Sequence, residues 1–577
     1  MPAEDTYAGA RTFLRASWRT KRVSLQGVFD FLLFPLLCAL TLPNLLLLAV
    51  LRGFLLESDE LEEELTELDD PGARTPWQWR VDRLQGSLHT ATDLHGNPVN
   101  EGHHLLLGDE YGRRFPVIVP RQMLRGHTYI CGTTGGNKTS IGITGLLLQV
   151  MNGHLQEPTN LPPPVIVIDL KGDMALFQTL QAQAAANGQT FRFFTPELKK
   201  VTHHFVPFTT LNTEWRSSMQ LCQLVLEALS LDHGFGYGRG FYTSVARSAL
   251  LQALQHPSQP KTFADLYRIV ARLRKGSALS DCLELLNAME ALAQYPQLRP
   301  PKKKDDLIDF NQVLEQREVV YFWLPMSEPM SSREIAKLAL FALFTAALDR
   351  QRAGLPTVET FLVIDEFQRV VSRSLDVILQ QARSAGIAAI LANQSLQDLK
   401  TPEADFRALI KSCTRIQMYF SVTEYEARSL SEMAGKEIML LKSFGESTTR
   451  FKWTRQRSRT VSYLESFQER LPIDQVLSVS SDPFGMIAYF GLEGGYARFG
   501  GRPVLVRTMY PLPIALYEER LAAAWPQGDG IASLDAPTDF DMEDVAEEAS
   551  DMAFEDSSVA ATMDSLIAVE LAEPQRH

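Results

Sequence analysis

The sequence lacks a cysteine pattern that could bind a metal ion. Its 577 residues include five cysteines, with no CxxC pair and no histidine at metal-ligand spacing. Scattered cysteines of this kind are typical of reduced, mostly buried thiols in a cytosolic protein. We therefore predict reduced thiols, and no zinc site, for the five residues Cys38, Cys131, Cys222, Cys282 and Cys413.

Most of the chain also lacks an excess of acidic or of basic residues. The formal net charge is −13, yet residues 528–577 alone hold 14 acidic residues and a single basic one, Arg576. Subtracting these from the totals of 69 acidic and 56 basic residues leaves 55 of each elsewhere. A neutral body neither favours nor excludes nucleic-acid binding. The acidic residues 526–577 predict a disordered tail that either docks a basic partner or increases solubility.

Long apolar runs are absent except for one near the N-terminus. Residues 31–51 contain no charge, and their number is about that of a membrane-spanning helix. Pro35 and Pro43 interrupt the run, so we expect a re-entrant hairpin or a segment embedded in one leaflet. Five basic residues precede it and nine acidic residues follow within 57–70, which places the N-terminus in the cytoplasm. A buried core hairpin of a soluble protein stays open as the alternative.

Strand and helix patterns alternate after residue 101. This alternation predicts an α/β fold with a mostly parallel sheet covered on both faces. Between residues 215 and 311 helical periodicity replaces the strand signals, which indicates an inserted all-α domain. The predicted strands are at 117–119, 127–131, 165–168, 319–324, 361–364 and 388–391, and clear helical patterns lie at 141–151 and 335–348.

The strongest chemical signal is a Gly-rich loop between a strand and a helix that begins near Ser140. Such a loop directs backbone N–H groups and a helix N-terminus at phosphate oxygens. Lys138 would reach the β- and γ-phosphates of ATP, and the Thr139 hydroxyl would ligate Mg²⁺. Asn137 replaces the last glycine of GxxxxGK[ST]. If this position is left-handed, Asn is among the least costly alternatives to glycine. The predicted phosphate-binding residues are Gly132, Thr133, Thr134, Gly135, Gly136, Asn137, Lys138, Thr139 and Ser140.

A second signal is an apolar strand that ends in two carboxylates, Asp365 and Glu366. Ligands bind at the carboxyl ends of strands in α/β sheets. There Asp365 would hold the magnesium ion, and Glu366 would orient and polarise the attacking water. Another strand ends at Asp169, for which two interpretations stay open: a role at the magnesium site, or the cap of a strand-to-helix turn.

A third signal surrounds the last predicted strand of the α/β region. Arg383 precedes this strand, and Gln394 follows it. A polar residue at the end of the strand can sense the γ-phosphate, and an arginine at such a boundary can stabilise transition-state charge on a neighbouring subunit's nucleotide. An ordinary surface arginine and a helix-capping polar cluster remain the alternative interpretation.

Taken together, these motifs resemble the FtsK/HerA-like ATPases, and specifically the type IV secretion coupling proteins of the TraD/TraG kind. The resemblance spans about residues 105–510 and rests on RGHTYICGTTGGNKTS, VIDLKGD, FLVIDEF, ARSAGIAAILANQSLQDL and VTEYEARSLSEMAG, in that order. It implies a RecA-like core, a homo-hexamer at a secretion channel of the bacterial inner membrane, and ATP-driven export of relaxase-bound single-stranded DNA or protein. It also implies catalytic roles for Lys138, Glu366, Gln394 and, as an arginine finger, Arg383. The family usually has two N-terminal membrane helices, whereas this chain has one proline-broken segment.

Five parts of the chain follow from these observations. They are a membrane-associated segment (1–56), an acidic linker and lead-in (57–100), a RecA-like nucleotide-binding domain (101–214 and 312–515), an all-α insertion (215–311) and the acidic tail (526–577). Two competing hypotheses stay open: a soluble HerA/FtsK-like DNA translocase, and a scaffold that binds nucleotide with little hydrolysis.

One basic stretch outside these motifs also deserves an interpretation. Five basic residues alternate with Phe451 and Trp453 between residues 450 and 459. They suit phosphate contact and base stacking, as in proteins that bind single-stranded nucleic acid. Alternatively, they are the charges of an edge ribbon that block strand pairing. The aromatic, Gly-rich residues 233–241 are a weaker candidate for DNA contact.

Overall fold

A computed structural model describes residues 104–527, except 112–115, 153–160, 198, 233–238, 275–280, 326–328, 401–404, 452–453 and 492–501. Within these ranges, no helix combines the length and the hydropathy needed to cross a membrane. The predictions for the apolar run 31–51, for the acidic linker and for the tail beyond residue 527 lie outside the described residues.

The main sheet of the described residues has eleven strands. They are β1 His104–Glu110, β2 Pro116–Pro120, β3 Thr128–Gly132, β4 Val165–Asp169, β5 Phe191–Phe194, β6 Val319–Trp323, β7 Thr360–Asp365, β8 Ile387–Asn393, β9 Ile416–Phe420, β12 Gly485–Phe490 and β13 Pro503–Arg507. Their order in the sheet is β2-β1-β13-β12-β9-β3-β8-β7-β4-β6-β5. The seven strands from β9 to β5 are parallel, and the four at the other edge are antiparallel. The predicted α/β class with a large, mostly parallel sheet is confirmed.

Helices cover both faces of this sheet. Neighbouring residues of β4 show this directly: Val165 and Val167 belong to one hydrophobic core, and Ile166 and Ile168 belong to the other. A strand buried on both faces needs apolar residues at every position, which explains the unbroken runs in the sequence. The helices are α1 Thr144–Asn152, α2 Met174–Ala186, α3 Pro207–Leu211, α4 Ser218–Ala228, α5 Arg239–Leu254, α6 Phe263–Leu273, α7 Leu283–Ala293, α8 Phe310–Gln316, α9 Pro329–Arg352, α10 Arg373–Ala382, α11 Phe406–Cys413, α12 Glu424–Ala434, α13 Ile473–Ser481 and α14 Ile514–Leu521.

The described part of residues 215–311 is helical, as the periodicity predicts. α6 illustrates the local cause. The Thr262 hydroxyl accepts a hydrogen bond from the Asp265 N–H, and the Asp265 carboxylate accepts one from the Thr262 N–H, which forms a capping box. Residues such as Leu266 and Val270 then bury one face of the helix. These helices share their hydrophobic core with one face of the sheet. The division of the chain into five domains stays a prediction.

A two-stranded antiparallel ribbon follows α12 and forms a sheet of its own. Its strands, β10 Lys436–Phe451 and β11 Thr454–Glu469, are each 16 residues long. At about 3.4 Å per residue, such a strand extends roughly 50 Å. Residues 450–451 and 454–459 of the basic stretch therefore lie at the end of the ribbon that is far from α12. The ribbon itself is confirmed, and the molecule that it would contact stays open.

Candidate active site

Three neighbouring parallel strands end at the same edge of the sheet. β3 runs into the Gly-rich loop at Gly132, β7 ends at Asp365, and β8 ends at Asn393, next to Gln394. Because β8 pairs with β3 on one side and β7 on the other, these ends lie side by side. The parallel topology thus brings the loop together with the two carboxylates and Gln394, which follow it by more than 200 residues in the sequence.

The backbone of the Gly-rich loop explains two of its glycines. At Gly132 a Cβ atom would lie 2.3 Å from the carbonyl oxygen of Phe420, so only glycine fits beside β9. Gly135 has a positive φ of 80°, which glycine adopts at low cost. Thr134 and Gly135 are exposed, whereas Lys138 and Thr139 are buried. The predicted phosphate-binding residues therefore form a short loop with an exposed tip and a buried base.

Asn137 adopts a left-handed conformation, with φ 62° and ψ 16°. The condition under which Asn is among the least costly alternatives to glycine, a left-handed backbone, is therefore met at this position. A short π-helical turn, Lys138–Ile143, begins immediately afterwards and leads into α1. The helix thus starts two residues earlier than the sequence indicates, at the lysine itself.

The Asn137 side chain also makes contacts that a glycine could not. Its Nδ2 atom donates to the carbonyl oxygen of Pro483 at 3.0 Å. Its Oδ1 atom accepts from the hydroxyls of Ser140 at 3.1 Å and Tyr510 at 3.4 Å. Pro483 and Tyr510 belong to the antiparallel, C-terminal part of the sheet region. Asn137, which replaces the last glycine of the motif, therefore links the Gly-rich loop by hydrogen bonds to the C-terminal, antiparallel part of the sheet region.

Thr139 and Asp365 form the candidate metal site. The Thr139 hydroxyl donates to Oδ2 of Asp365 at 3.1 Å, and both residues are buried. Burial, followed by the charge of Asp169, raises the pKa of Asp365 to about 6. A hydroxyl and a carboxylate oxygen are ligands of the hard type that Mg²⁺ prefers, with water and phosphate oxygens completing its shell. The residues present at this position therefore fit a magnesium ion.

Lys138 and Glu366 form a buried ion pair next to this site. The Lys138 Nζ atom lies 3.5 Å from Oε1 of Glu366, and both side chains are at most 4% exposed. Gln394 donates from Nε2 to both carboxylate oxygens of Glu366, at 3.2 and 3.1 Å. The predicted catalytic residues Lys138, Glu366 and Gln394 thus form one connected cluster.

Glu366 has a left-handed backbone and a carboxylate that stays ionised although it is buried. Its backbone is left-handed, with φ 58° and ψ 46°, and Gln368 donates to its Oε2 atom at 2.5 Å. Burial alone would raise the pKa of Glu366, but the charge of Lys138 and the hydrogen bonds from Gln368 and Gln394 hold it below its usual value. A carboxylate that stays ionised in a buried site can accept a proton from water.

Asp169 serves as the cap of the turn between β4 and α2. Its carboxylate accepts hydrogen bonds from the N–H groups of Lys171, Gly172 and Asp173 at 2.7–2.9 Å. The Tyr321 hydroxyl donates to it at 2.6 Å. These contacts support the capping interpretation, and the charge of Asp169 contributes to raising the pKa of Asp365.

Arg383 lies outside the cluster of its own chain. It is exposed, follows α10 and precedes β8, so it is at the amino edge of the sheet, opposite the phosphate loop. Its charge contributes to lowering the pKa of the buried His127, at the same edge, where burial is the main cause. Its role as an arginine finger towards a neighbouring subunit stays a prediction.

The register of the two ribbon strands shows which arginine positions of the basic stretch share a face. Arg450 is opposite Arg455, residue 448 is opposite Arg457, and residue 446 is opposite Arg459. Opposite positions share a face of a ribbon, and so do alternate positions along each strand. The four arginine positions therefore fall on one face. Position 452 lies outside the described residues.

Several residues that contact the site were not predicted. Gln368 follows Glu366 within a 3₁₀ turn, and Ser421 accepts a hydrogen bond from the Thr133 hydroxyl at 2.9 Å. Glu426 is buried at the start of α12 and contacts the loop after Gln394. Of these, Glu426 had a local signal, since Thr423-x-x-Glu426 is a capping box. The contact of Ser421 depends on β9 lying next to β3, whereas Gln368 is close to Glu366 in the sequence itself.

Residues 359–479 match the protein-family model described as "TraM recognition site of TraD and TraG". This segment contains Asp365, Glu366, Arg383 and Gln394, together with α12 and the ribbon. The chain thus resembles the type IV secretion coupling proteins, as the motifs predict. No curated protein matches the sequence.

Among solved structures, the unbound bacterial conjugative coupling protein TrwBdeltaN70 is 13% identical, with 68% of this chain and 87% of that chain covered and a TM-score of 0.47. The plasmid coupling protein TrwB in complex with ADP and Mg²⁺ is 14% identical, with 70% and 89% covered and a TM-score of 0.44. VirB4 of Thermoanaerobacter pseudethanolicus is also 14% identical, with 58% and 89% covered and a TM-score of 0.39.

Proposed function

We propose that the chain is a P-loop ATPase that works as a coupling protein of a type IV secretion or conjugation system. The connected cluster of Lys138, Glu366 and Gln394, next to Thr139 and Asp365, is the observation that carries this proposal. It combines a phosphate loop, a metal site, a candidate base and a sensor at one sheet edge. Such a set suits phosphoryl transfer to water.

The proposed mechanism assigns a separate task to each side chain. Lys138 leaves Glu366 to pair with the β- and γ-phosphates, and the loop N–H groups bind the phosphate oxygens. Mg²⁺, when bound by Thr139 and Asp365, neutralises charge that develops on the phosphates. Glu366 then accepts a proton from the attacking water while Gln394 holds its carboxylate in position.

We further propose that the active form is a homo-hexamer on the cytoplasmic face of the bacterial inner membrane, attached through the segment 31–51. Arg383 would then complete the site of a neighbouring subunit. Its exposed position away from the site of its own chain suits a residue that acts across an interface. Measurement of the oligomeric state with and without nucleotide tests this step, and a monomer under both conditions would contradict it.

The proposed cargo is relaxase-bound single-stranded DNA, secreted protein, or both. The face of the ribbon that carries four arginine positions supports contact with a phosphate backbone. Cargo would be moved towards secretion-channel components at the membrane. A soluble DNA translocase would use the same ribbon without the membrane segment, so fractionation of the full chain against a chain that starts near Asp70 separates the two hypotheses.

Steady-state ATP hydrolysis tests the central proposal. We expect wild-type protein to release phosphate, with stimulation by single-stranded DNA, and both Lys138→Ala and Glu366→Gln to reduce the rate at least 100-fold. Equal rates for wild type and both variants would favour the nucleotide-binding scaffold instead.

A further inference from the structure

The carboxylate of Glu426 accepts four hydrogen bonds while it is almost completely buried. The side chain lies in the first turn of α12 and is 1% exposed. Its Oε1 atom accepts from the Ser395 hydroxyl at 2.6 Å and from the Leu396 N–H at 3.1 Å. Its Oε2 atom accepts from the Thr423 N–H at 3.2 Å and from the Thr423 hydroxyl. One carboxylate thus holds together the loops that follow β8 and β9.

The first of these loops carries the sensor of the active site. Ser395 directly follows Gln394, whose side-chain amide donates to both oxygens of Glu366. The carbonyl oxygen of Gln394 also accepts a contact from the Cys131 thiol at the end of β3. Fixing Ser395 and Leu396 therefore restricts where the Gln394 side chain can reach.

The other end of α12 is attached to the ribbon. Gly435 ends the helix, and β10 begins at the next residue. The Ser431 hydroxyl, in the last turn of α12, donates to the Glu469 carboxylate at the end of β11, at 3.2 Å. The Arg470 N–H donates to the carbonyl oxygen of Gly435 at 3.0 Å. Both strands of the ribbon are therefore joined to α12 at their base.

We propose that Glu426 is a positioning residue that couples the ribbon to ATP turnover by fixing Gln394 against Glu366. The inference rests on the proposed function. A displacement of the ribbon by bound cargo moves α12 and, through the Glu426 carboxylate, moves the loop that carries Gln394. In this scheme Glu426 contacts neither the nucleotide nor the attacking water. It changes the rate of hydrolysis through the position of Gln394.

The chemistry of the site makes Glu426→Gln a discriminating substitution. All four partners are donors, and a carboxylate can accept from all of them. An amide has one oxygen, so its NH₂ group must face either the Ser395 pair or the Thr423 pair. The backbone N–H of that pair then loses its acceptor, and the hydroxyl of that pair must rotate to accept instead of donate. Glu432→Gln, an exposed carboxylate on the same helix, is the matched control.

The test is a double-mutant cycle on steady-state ATP hydrolysis. We expect Glu426→Gln to lower kcat roughly 10-fold, with the Kd for ADP–Mg²⁺ unchanged because Lys138 and Thr139 are intact. In a Gln394→Ala background the same substitution should change kcat less than about 2-fold, since its effect passes through Gln394. Glu432→Gln should behave as wild type in both backgrounds.

Stimulation by single-stranded DNA provides the second measurement. The ratio of stimulated to basal rate should fall to near one in Glu426→Gln. Ser395→Ala removes one donor and should show a smaller effect with the same dependence on Gln394, which keeps the test valid if Glu426→Gln does not fold. Additive effects of Glu426→Gln and Gln394→Ala, or undiminished DNA stimulation, would overturn the inference. Absence of hydrolysis in wild type would overturn the proposed function instead.

Discussion

The ion pair between Lys138 and Glu366 leads to a prediction about nucleotide affinity. Glu366→Gln keeps the shape of the side chain and removes its charge. Without nucleotide, the buried Lys138 then loses the partner that lies 3.5 Å from its Nζ atom. With nucleotide bound, phosphate oxygens supply the missing charge. The substitution therefore destabilises the nucleotide-free state more than the bound state, and we expect the affinity to rise.

The magnitude follows from Coulomb's law. Two unit charges 3.5 Å apart interact by about 5 kcal/mol at an effective dielectric constant of about 20. Even if hydration of the lysine offsets about two thirds of this, roughly 1.5 kcal/mol remains, which corresponds to about a tenfold lower Kd. Removing a negative charge near the phosphates acts in the same direction. Since Glu366 also accepts the proton in the proposed mechanism, kcat should fall by about 100-fold or more.

Titration calorimetry with a non-hydrolysable ATP analogue and Mg²⁺ measures the first effect, and phosphate release measures the second. Glu359→Gln is a suitable control, because this carboxylate pairs with Arg125 at 2.7 Å and lies outside the cluster. A Kd that rises or stays equal in Glu366→Gln would refute the role of the ion pair. An unchanged kcat would refute Glu366 as the base.

Three further predictions concern other parts of the molecule. Asn137→Ala and Asn137→Gly both lose the side-chain bonds, but alanine adds about 1 kcal/mol of left-handed strain, so it should bind nucleotide about fivefold more weakly than glycine by calorimetry. Replacing Arg455, Arg457 and Arg459 by glutamine should reduce the slope of log K against log[salt] for single-stranded DNA by about 2. Burial is the main reason that the pKa of His203 falls to about 4. The free energy of unfolding of the wild-type protein should therefore fall by up to about 3 kcal/mol between about pH 6.5 and pH 4 because of this residue, and His203→Gln should not show this part of the loss.

A specific result would contradict each of these three predictions. Equal nucleotide affinities of the two Asn137 variants would show that backbone strain at this position does not matter. An unchanged salt slope, or an equal change with Gln456→Ala on the opposite face of the ribbon, would exclude the arginine face as the DNA contact. For His203, the folded protein favours the neutral ring, so its contribution is complete above about pH 6.5 and is lost towards pH 4. Melting temperatures that fall equally in both proteins would contradict this assignment.

Local patterns predicted much of the α/β core. All six predicted strands of the main sheet exist, because strands buried on both faces are continuous apolar runs that the sequence displays openly. The other five strands of the main sheet, β1, β5, β9, β12 and β13, were missed. In β9 the apolar run is broken by the polar Gln417, which is fully buried. The ribbon was predicted only as one of two interpretations of the basic stretch, because its alternation of polar and apolar residues is weak.

Motifs in the sequence also predicted the main residues of the candidate site, but not the contacts between them. Lys138, Thr139, Asp365 and Glu366 were identified from motifs in which residue type and neighbouring elements fix the role. Asp169 was ambiguous, because an acid at the end of a strand can equally cap a turn or approach a metal, and only its three backbone hydrogen bonds decided between them. For Arg383 the sequence supplies the residue type, and the structure supplies its place at the opposite edge.

The sequence by itself determined the Gly-rich loop and the apolar strand that ends in Asp365 and Glu366, since these depend on local backbone conformation and residue type; their binding of phosphate and metal is a proposal. Only the tertiary structure decided that β8 lies between β3 and β7, so that Gln394 reaches Glu366. It also decided that Asn137 is anchored to Pro483 and that Glu426 joins two loops. Strand order and register arise from long-range packing, which no local pattern encodes. The link from ribbon to active site therefore depends on the fold.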